Sequence, residues 1–401
     1  MGQAVWWWLV AQIVAFCATP LCLAVFRPLA DRGYGLSKAF GLLLFGYAGW
    51  VLGLSHVIPN SRLTLLLALA VITGGSYTVW RREGEGLTQL WRRRRGLLLL
   101  EEAIFGAAFF GFAWLRSYNA DISGTEKFMD FAFINAVTRS PTFPPLDPWL
   151  APSASPGSPV PTINYYHFGY LMQGLLLELS GVTPAVGFNL ALSLLFGMAA
   201  AGVFSLAYGL ARDLHGEEVL ARLPSPRGRR GGSPSGAMGS RGEGARTTAP
   251  TAARRPSAAS WRLRIAWPYV FAGGVALYML LVAGNLWTAL RRFDGSGMWQ
   301  KDFWQGIGWN ATRVLVIKQG TTDVDYTINE FPSFSFLLGD LHPHVSALPF
   351  VLVAVGLAYA WLLRPPRLYR WAMGGEPLYE SRVESREARD GGPFPFAPLR
   401  V

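Results

Sequence analysis

Charged side chains are scarce in this chain. Only 15% of its 401 residues are Asp, Glu, Lys or Arg, against 51% hydrophobic residues and 16 Trp. Soluble domains carry roughly a quarter charged residues, so an ordinary soluble fold is excluded. Cysteine is nearly missing, and the two present, Cys17 and Cys22, both fall inside the first apolar run. That spacing suits neither a disulfide scaffold nor a metal site, and both read as small buried apolar residues. The N-terminus lacks a basic leader and a small-residue cleavage site, so no cleaved signal is expected. Acidic residues are the minority, which leaves a formal charge of +11. The Arg residues cluster beside apolar runs instead of forming one basic face, which points to cytoplasmic loops of a membrane protein. No nucleic-acid partner is expected.

What is present is a series of apolar runs near the 18–20 residues or so needed to cross a bilayer. The expectation is an all-α polytopic membrane protein with about seven transmembrane helices, at the plasma membrane. The first four spans cover about 5–26, 39–58, 63–80 and 96–115. A tight turn at Pro59-Asn60 joins the second to the third, and Trp91-Arg92-Arg93-Arg94-Arg95 marks a cytoplasmic connection before the fourth. Glu101 and Glu102, early in span four, are expected to snorkel toward the interface beside those arginines, with a buried functional pair as the alternative. The fifth, sixth and seventh spans fall at about 184–210, 265–290 and 345–363.

The segment 166–180 is treated differently. If it crossed, the Arg-rich low-complexity stretch that follows span five would land outside the cell, against its charge. At about fifteen residues, with Gln173 and Glu178 inside it, it is expected to lie along the outer surface as an interfacial helix. This divides the chain into three N-terminal helices (1–95), a core with a first outer loop (96–210, loop 116–183) and a disordered basic cytoplasmic loop (211–262). A second part of the core with another outer loop (263–363, loop 291–344) and a disordered cytoplasmic tail (364–401) complete it.

Chemistry-bearing residues concentrate in the two outer loops. Ser123-Gly124-Thr125-Glu126 has a capping-box pattern at the start of a helix over 126–139. Glu126 and Asp130, four apart, share a face of that helix, and Asp121 lies just before it. One of these three acids is the candidate general base, with helix capping as the structural alternative. Tyr165, Tyr166 and His167 open the surface segment, as an interfacial aromatic belt or as substrate contacts. In the second loop Arg313 and Lys318 are candidate phosphate contacts. Asp340, His342 and His344 alternate, so an extended backbone would face all three to one side as ligands for a divalent metal, Mg2+ or Mn2+; alternatively, Pro343 and the apolar run after it start span seven, with Asp340 or His342 near its N-terminus.

In this arrangement the chain resembles type-C membrane glycosyltransferases, in particular protein mannosyltransferases and lipid A aminoarabinose transferases. The likeness rests on a span ending outside, an acid-bearing helix, the Asp147-Pro148-Trp149 passage and a Tyr-rich helix that stays outside. By it Glu126 falls on the second acid of the family's pair, whereas Thr125 stands where that family has Asp. The stretches YYHFGY and NEFPSFSFLLGDLHPH resemble more closely a poorly characterised membrane family of Chloroflexi and archaea named for its tyrosine triplet. Thr327-Ile328-Asn329-Glu330 also matches the TIxE pattern of oligosaccharyltransferases, whose Glu helps hold a divalent metal, and this puts Glu330 among the binding residues. The resemblance implies a polyprenyl-phosphate sugar donor dissolved in membrane lipid, direct transfer with an acid as base, and cations on the leaving phosphate. Type-C enzymes carry more spans than the seven counted, so a membrane protein partner or a longer chain would supply the rest. A lipid-linked-sugar transporter or flippase and a non-catalytic scaffold are the rival readings.

Overall fold

The structure is a computed structural model that describes residues 2–151, 158–221, 266–284 and 307–363. The basic loop beyond Ala221, the end of span six and the tail from 364 lie outside the described residues. The expected helical membrane architecture is found. Among the described residues, six helical segments are long and apolar enough to cross a bilayer: Gly2–Val25, Tyr34–Leu54, Arg62–Arg82, Thr88–Ser117, Pro184–His215 and Pro343–Leu363. A shorter apolar helix, Trp267–Leu281, occupies the place of the sixth expected span.

In chain order α1 (Gly2–Val25) packs antiparallel to α2 (Ser37–Leu54), followed by α3 (Arg62–Ser117). Drawn straight, the 56 residues of α3 would be about 84 Å long. Both of its ends nevertheless meet neighbours at one end of the bundle. The Arg62 side chain donates to Glu178 O at 2.9 Å, and Arg116 donates to Asn189 Oδ1 at 2.7 Å. The contacts with α1 bracket the reversal: Ser76 donates to Cys17 O, whereas Glu102 meets Gln12 and Phe110 packs on Trp8. Thus α3 comprises two antiparallel arms that turn between Ser76 and Glu102, around the run of arginines. The sequence-derived loop after span five begins too early: α6 (Pro184–Ala221) stays helical beyond residue 211, held where Tyr359 OH donates to Asp213 Oδ2 at 2.7 Å.

Between the arms of this frame sit two helices of the first outer loop, α4 (Lys127–Arg139) and α5 (Phe168–Ser180). At thirteen residues, or about 20 Å, α5 is too short to cross. It does not lie on the outer surface either. Tyr170 through Leu177 are all buried, Gln173 included. A helix enclosed on every side is a core element and not an amphipathic one. Glycines make room for it: a Cβ on Gly46 would fall 2.4 Å from Met172, one on Gly49 2.6 Å from Leu175, and one on Gly174 2.6 Å from Val137. Close approach through small residues is how helices gain contact where lipid offers no hydrophobic drive.

After α7 (Trp267–Leu281), the described part of the second loop holds α8 (Ile307–Ala311) and a hairpin of β1 (Val316–Gln319) and β2 (Thr322–Tyr326), then α9 (Pro332–Leu338). The strands pair antiparallel from Val316↔Tyr326 to Gln319↔Thr322 and turn at Gly320, whose φ of 64° suits a residue without Cβ. α9 is pinned by Phe336, buried between Phe112 of α3 and Phe196 of α6 at ring distances of 5.6 and 5.0 Å. Gly339 then ends α9 in a left-handed turn (φ 73°) against Arg116, where a Cβ would lie 2.3 Å from the guanidinium. From there the chain enters α10 (Pro343–Leu363).

A second polar knot closes the basic end. Asp31 accepts from the backbone N–H of Gly33 and Gly35 and from Ser205 Oγ. Lys38 pairs with Glu102, which also accepts from Gln12 and from Tyr34 OH. The snorkelling expected of the two glutamates is corrected here: Glu101 is 1% exposed and neither of its carboxyl oxygens has a hydrogen-bond partner. Asp31 is its neighbour, because the α2 entry and α6 close over this turn of α3 before the side chain can reach water. Removing one partner of a buried ion pair strands the other. Lys38→Met should therefore lower stability by about 3 kcal/mol or more, while Glu101→Gln, which gives Asp31 a donor, should hold or raise it. Thermal unfolding of the two variants in detergent would rule this out if Lys38→Met melts with the wild type.

Candidate functional site

At the opposite end of the bundle the two outer loops meet. Glu126, at the N-cap of α4, lies with Oε2 3.0 Å from His342 Nε2. His342 Nδ1 is 3.3 Å from Asp340 Oδ2, an ion-pair distance without a well-aligned hydrogen bond. Asp340 is in turn beside Asp130, in the first turn of α4, whose other oxygen accepts from Tyr170 OH of α5. The result is a continuous polar track, Tyr170–Asp130–Asp340–His342–Glu126, running from the buried core to the surface. Asp130 is 0% exposed and Asp340 2%, whereas half of the Glu126 side chain (51%) is open to solvent. Two buried cations flank the acids: Arg116, oriented by Asn189, and Lys127, next to Glu126 in sequence.

The electrostatics follow from burial and crowding. Desolvation pushes the Asp130 carboxyl up to about 8, and the adjoining Asp340 adds to the shift. Burial would raise Asp340 too, but the adjoining His342 imidazole and Asp130 carboxyl hold it below the usual carboxylate range. One proton between two buried carboxyls therefore resides on Asp130. His342 is lifted to about 9, chiefly by its contact with Asp340 and against the effect of burial. Lys127 is held below its ordinary value by desolvation and by the nearby Arg116.

A neighbouring cluster comes from the second loop alone. Glu330 accepts from Ser335 Oγ at 2.9 Å and lies 3.4 Å from His344 Nε2. The histidine contact holds the Glu330 carboxyl below its ordinary value. The His342 and His344 rings are 5.3 Å apart.

Over residues 44–374 the chain matches the family described as an uncharacterized membrane protein, DUF2298. The chain belongs to this family. No curated protein and no solved structure matches it. None of these comparisons links the family to glycosyltransferases.

On this family member the residues expected from sequence divide into three groups. Glu126, Asp130, Asp340 and His342 are brought together. His344 is separated from that set, since Pro343 already begins α10 and the helical backbone turns the second imidazole toward Glu330 and Ser335. Asp121 stays exposed and accepts from Ser123 Oγ at 2.7 Å. That contact also corrects the capping box. Gly124 and Thr125 are both left-handed, with φ of 75° and 51°, which turns Ser123 off the helix end and leaves Glu126 at the N-cap without a side-chain cap. A β-branched residue at positive φ is a costly conformation, and Thr125 uses it to face Asp340.

Tyr165 and Tyr166 are exposed and mutually hydrogen-bonded at 2.9 Å, near enough to α4 for the Tyr165 ring to lie 6.1 Å from Phe133. His167 Nδ1 meets Tyr165 O at 3.0 Å. Arg313 stacks 3.4 Å over Trp309 on the Glu330 side, and Lys318 is exposed on β1. Sequence reasoning missed Tyr170, Arg116, Lys127 and Ser335. Lys127 had a visible signal as a cation between two candidate acids, whereas the other three enter only through tertiary contacts. A cleft of about 640 Å³ opens on the far side of α4, lined by Phe131, Asn135 and Arg139, and the acids do not line it.

The pH dependence has a definite sign. Folded Asp130 keeps a proton that the unfolded chain releases above pH ~4, so its contribution declines from there to about 8. His342 stabilises fully below the ordinary imidazole value of ~6.5, and that contribution is lost by about 9. The melting temperature in detergent, with chelator, should fall steadily from pH 6 to 9, by roughly 2–4 °C per kcal/mol lost. His342→Gln should flatten the upper part of that slope. An unchanged slope in the variant would refute the assignment.

Proposed function

We propose that this protein is a polytopic membrane glycosyltransferase that moves a sugar from a polyprenyl-phosphate donor to an acceptor hydroxyl at the loop end of the bundle. What supports the reading is one juxtaposition: Glu126 of the first loop lies 3.0 Å from His342 of the second, over buried acids. A reaction between a lipid-borne donor and an external acceptor needs groups from both loops at one membrane-proximal point.

Glu126 is the base, being the accessible carboxylate of the track, and His342 orients it through one oxygen and leaves the other free. The base takes the acceptor proton as the acceptor oxygen attacks the anomeric carbon. The bond from that carbon to the phosphate oxygen breaks, and its electron pair leaves with the phosphate. Arg313, on the Glu330 side, is the cation placed to meet phosphate charge, with Lys318 farther out on the hairpin. Tyr165 and Tyr166 offer an exposed aromatic face for the sugar beside α4. The donor's lipid tail lies in the bilayer, and another membrane protein can complete the surface.

One observation favours a second reading, transport of the lipid-linked sugar: ionisable Lys38, Glu101 and Glu102 are packed inside the bundle, where charge is expensive and commonly functional. The two separate in a labelled polyprenyl-phosphate-sugar assay on protein in vesicles. Glu126→Gln should lower transfer by about 10²–10⁴-fold. Full transfer by the variant removes Glu126 from the mechanism. Movement of the labelled lipid across the bilayer that survives Glu126→Gln and fails in Glu101→Gln would favour transport.

A further inference from the structure

We propose that Asp130, Asp340 and His342 form a divalent-cation site of Mn2+ type at the junction of the two outer loops. Each residue offers one ligand atom, and these atoms lie within 4.8 Å of one another. Ligands about 2.1 Å from a metal sit about 3–4 Å apart, so small side-chain movements close the set.

Proximity of acids is not the whole case. Asp130 and Asp340 are essentially fully buried, yet Asp130 Oδ2 and Asp340 Oδ1 have no hydrogen-bond partner, and neither does His342 Nδ1. A buried polar atom without a partner costs free energy that a folded protein ordinarily avoids. Here one such atom comes from each of three residues in a single cluster. The remaining polar atoms of two of them are already held. Asp130 Oδ1 accepts from Tyr170 OH, and His342 Nε2 is held by Glu126. An imidazole whose far nitrogen donates to a carboxylate while the near one faces the other ligands, here 3.3 Å from Asp340 Oδ2, is the usual arrangement of a metal-ligating histidine.

The chemistry of the set chooses the ion. Two carboxylate oxygens and one imidazole nitrogen suit Mn2+ better than Mg2+, which prefers an all-oxygen shell and keeps its waters. Two carboxylates would also neutralise a dication in a buried place. His344 stands outside the set because it is engaged by Glu330 and Ser335. The site stands on geometry alone; only its role rests on the transferase reading, in which a bound cation would offset charge on the departing phosphate.

The test uses the full chain, purified with chelator and titrated with MnCl2. Free Mn2+ is followed by electron paramagnetic resonance, and thermal unfolding is followed in parallel. One equivalent should bind, and saturating Mn2+ should raise the melting temperature. Asp130→Asn and Asp340→Asn should each weaken binding at least about 100-fold, and Tyr170→Phe about 10-fold by freeing the Asp130 carboxylate. His344→Gln should bind as the wild type does. The Asn variants relieve acid crowding, so without metal they should melt no lower than the wild type, which separates lost ligation from lost folding. No binding at millimolar Mn2+, or equal binding by Asp130→Asn and Asp340→Asn, overturns the site. Loss of binding in His344→Gln alone would overturn this ligand set. Mn2+ binding without sugar transfer would sink the transferase reading and leave the site standing, and transfer without Mn2+ binding would do the reverse.

Discussion

The seating of Phe336 between Phe112 and Phe196 is the contact on which the outer end of this protein depends. It is an aromatic anchor on a helix of seven residues, far too short to be stable alone. With that ring buried between α3 and α6, the following turn has little freedom. Gly339 is forced against the Arg116 guanidinium, and Asp340 and His342 are delivered to the first turn of α4. Aromatic packing in the core therefore sets the position of charges at the surface, and the acid track has no rigid second half without it.

The two polar knots obey one rule from opposite directions. At the basic end Lys38 and Glu102 are mutually neutralised, with Gln12 and Tyr34 filling the remaining valences of the carboxylate. At the loop end the neutralisation is incomplete: two carboxyls adjoin, one keeps a proton, and the compensating charges belong to His342, Lys127 and Arg116. A satisfied buried pair rigidifies a bundle. An unsatisfied one implies a further partner, whether a proton or a cation, and that holds for Glu101 beside Asp31 as well as for Asp130 beside Asp340.

Much of the membrane architecture was legible in sequence because it rests on two short-range rules. Length and hydropathy mark the crossing segments, and the position of arginines orders them, even where α3 turns between its arms. Segment 166–180 shows where such rules stop. Its length correctly excludes a crossing, but Gln173 and Glu178 suggested a wetted helix. The glycines of α2 and α5 instead permit an approach so close that Gln173 is buried. The capping pattern at Ser123 failed for a similar reason: its four letters fit, while the left-handed pair Gly124-Thr125 serves the contact with Asp340.

By itself the sequence determined that this is a helical, multi-pass membrane protein with its polar chemistry in two loops, since hydropathy and charge asymmetry are summed locally along the chain. It also named Glu126, Asp130, Asp340 and His342 as acids and ligands, because residue type alone carries that information. Only the tertiary structure decided that these four meet, that His344 does not join them, and that Tyr170, Arg116 and Glu101 matter. Each of those facts depends on elements far apart in sequence being packed together, and burial is what leaves an ordinary carboxyl without a partner.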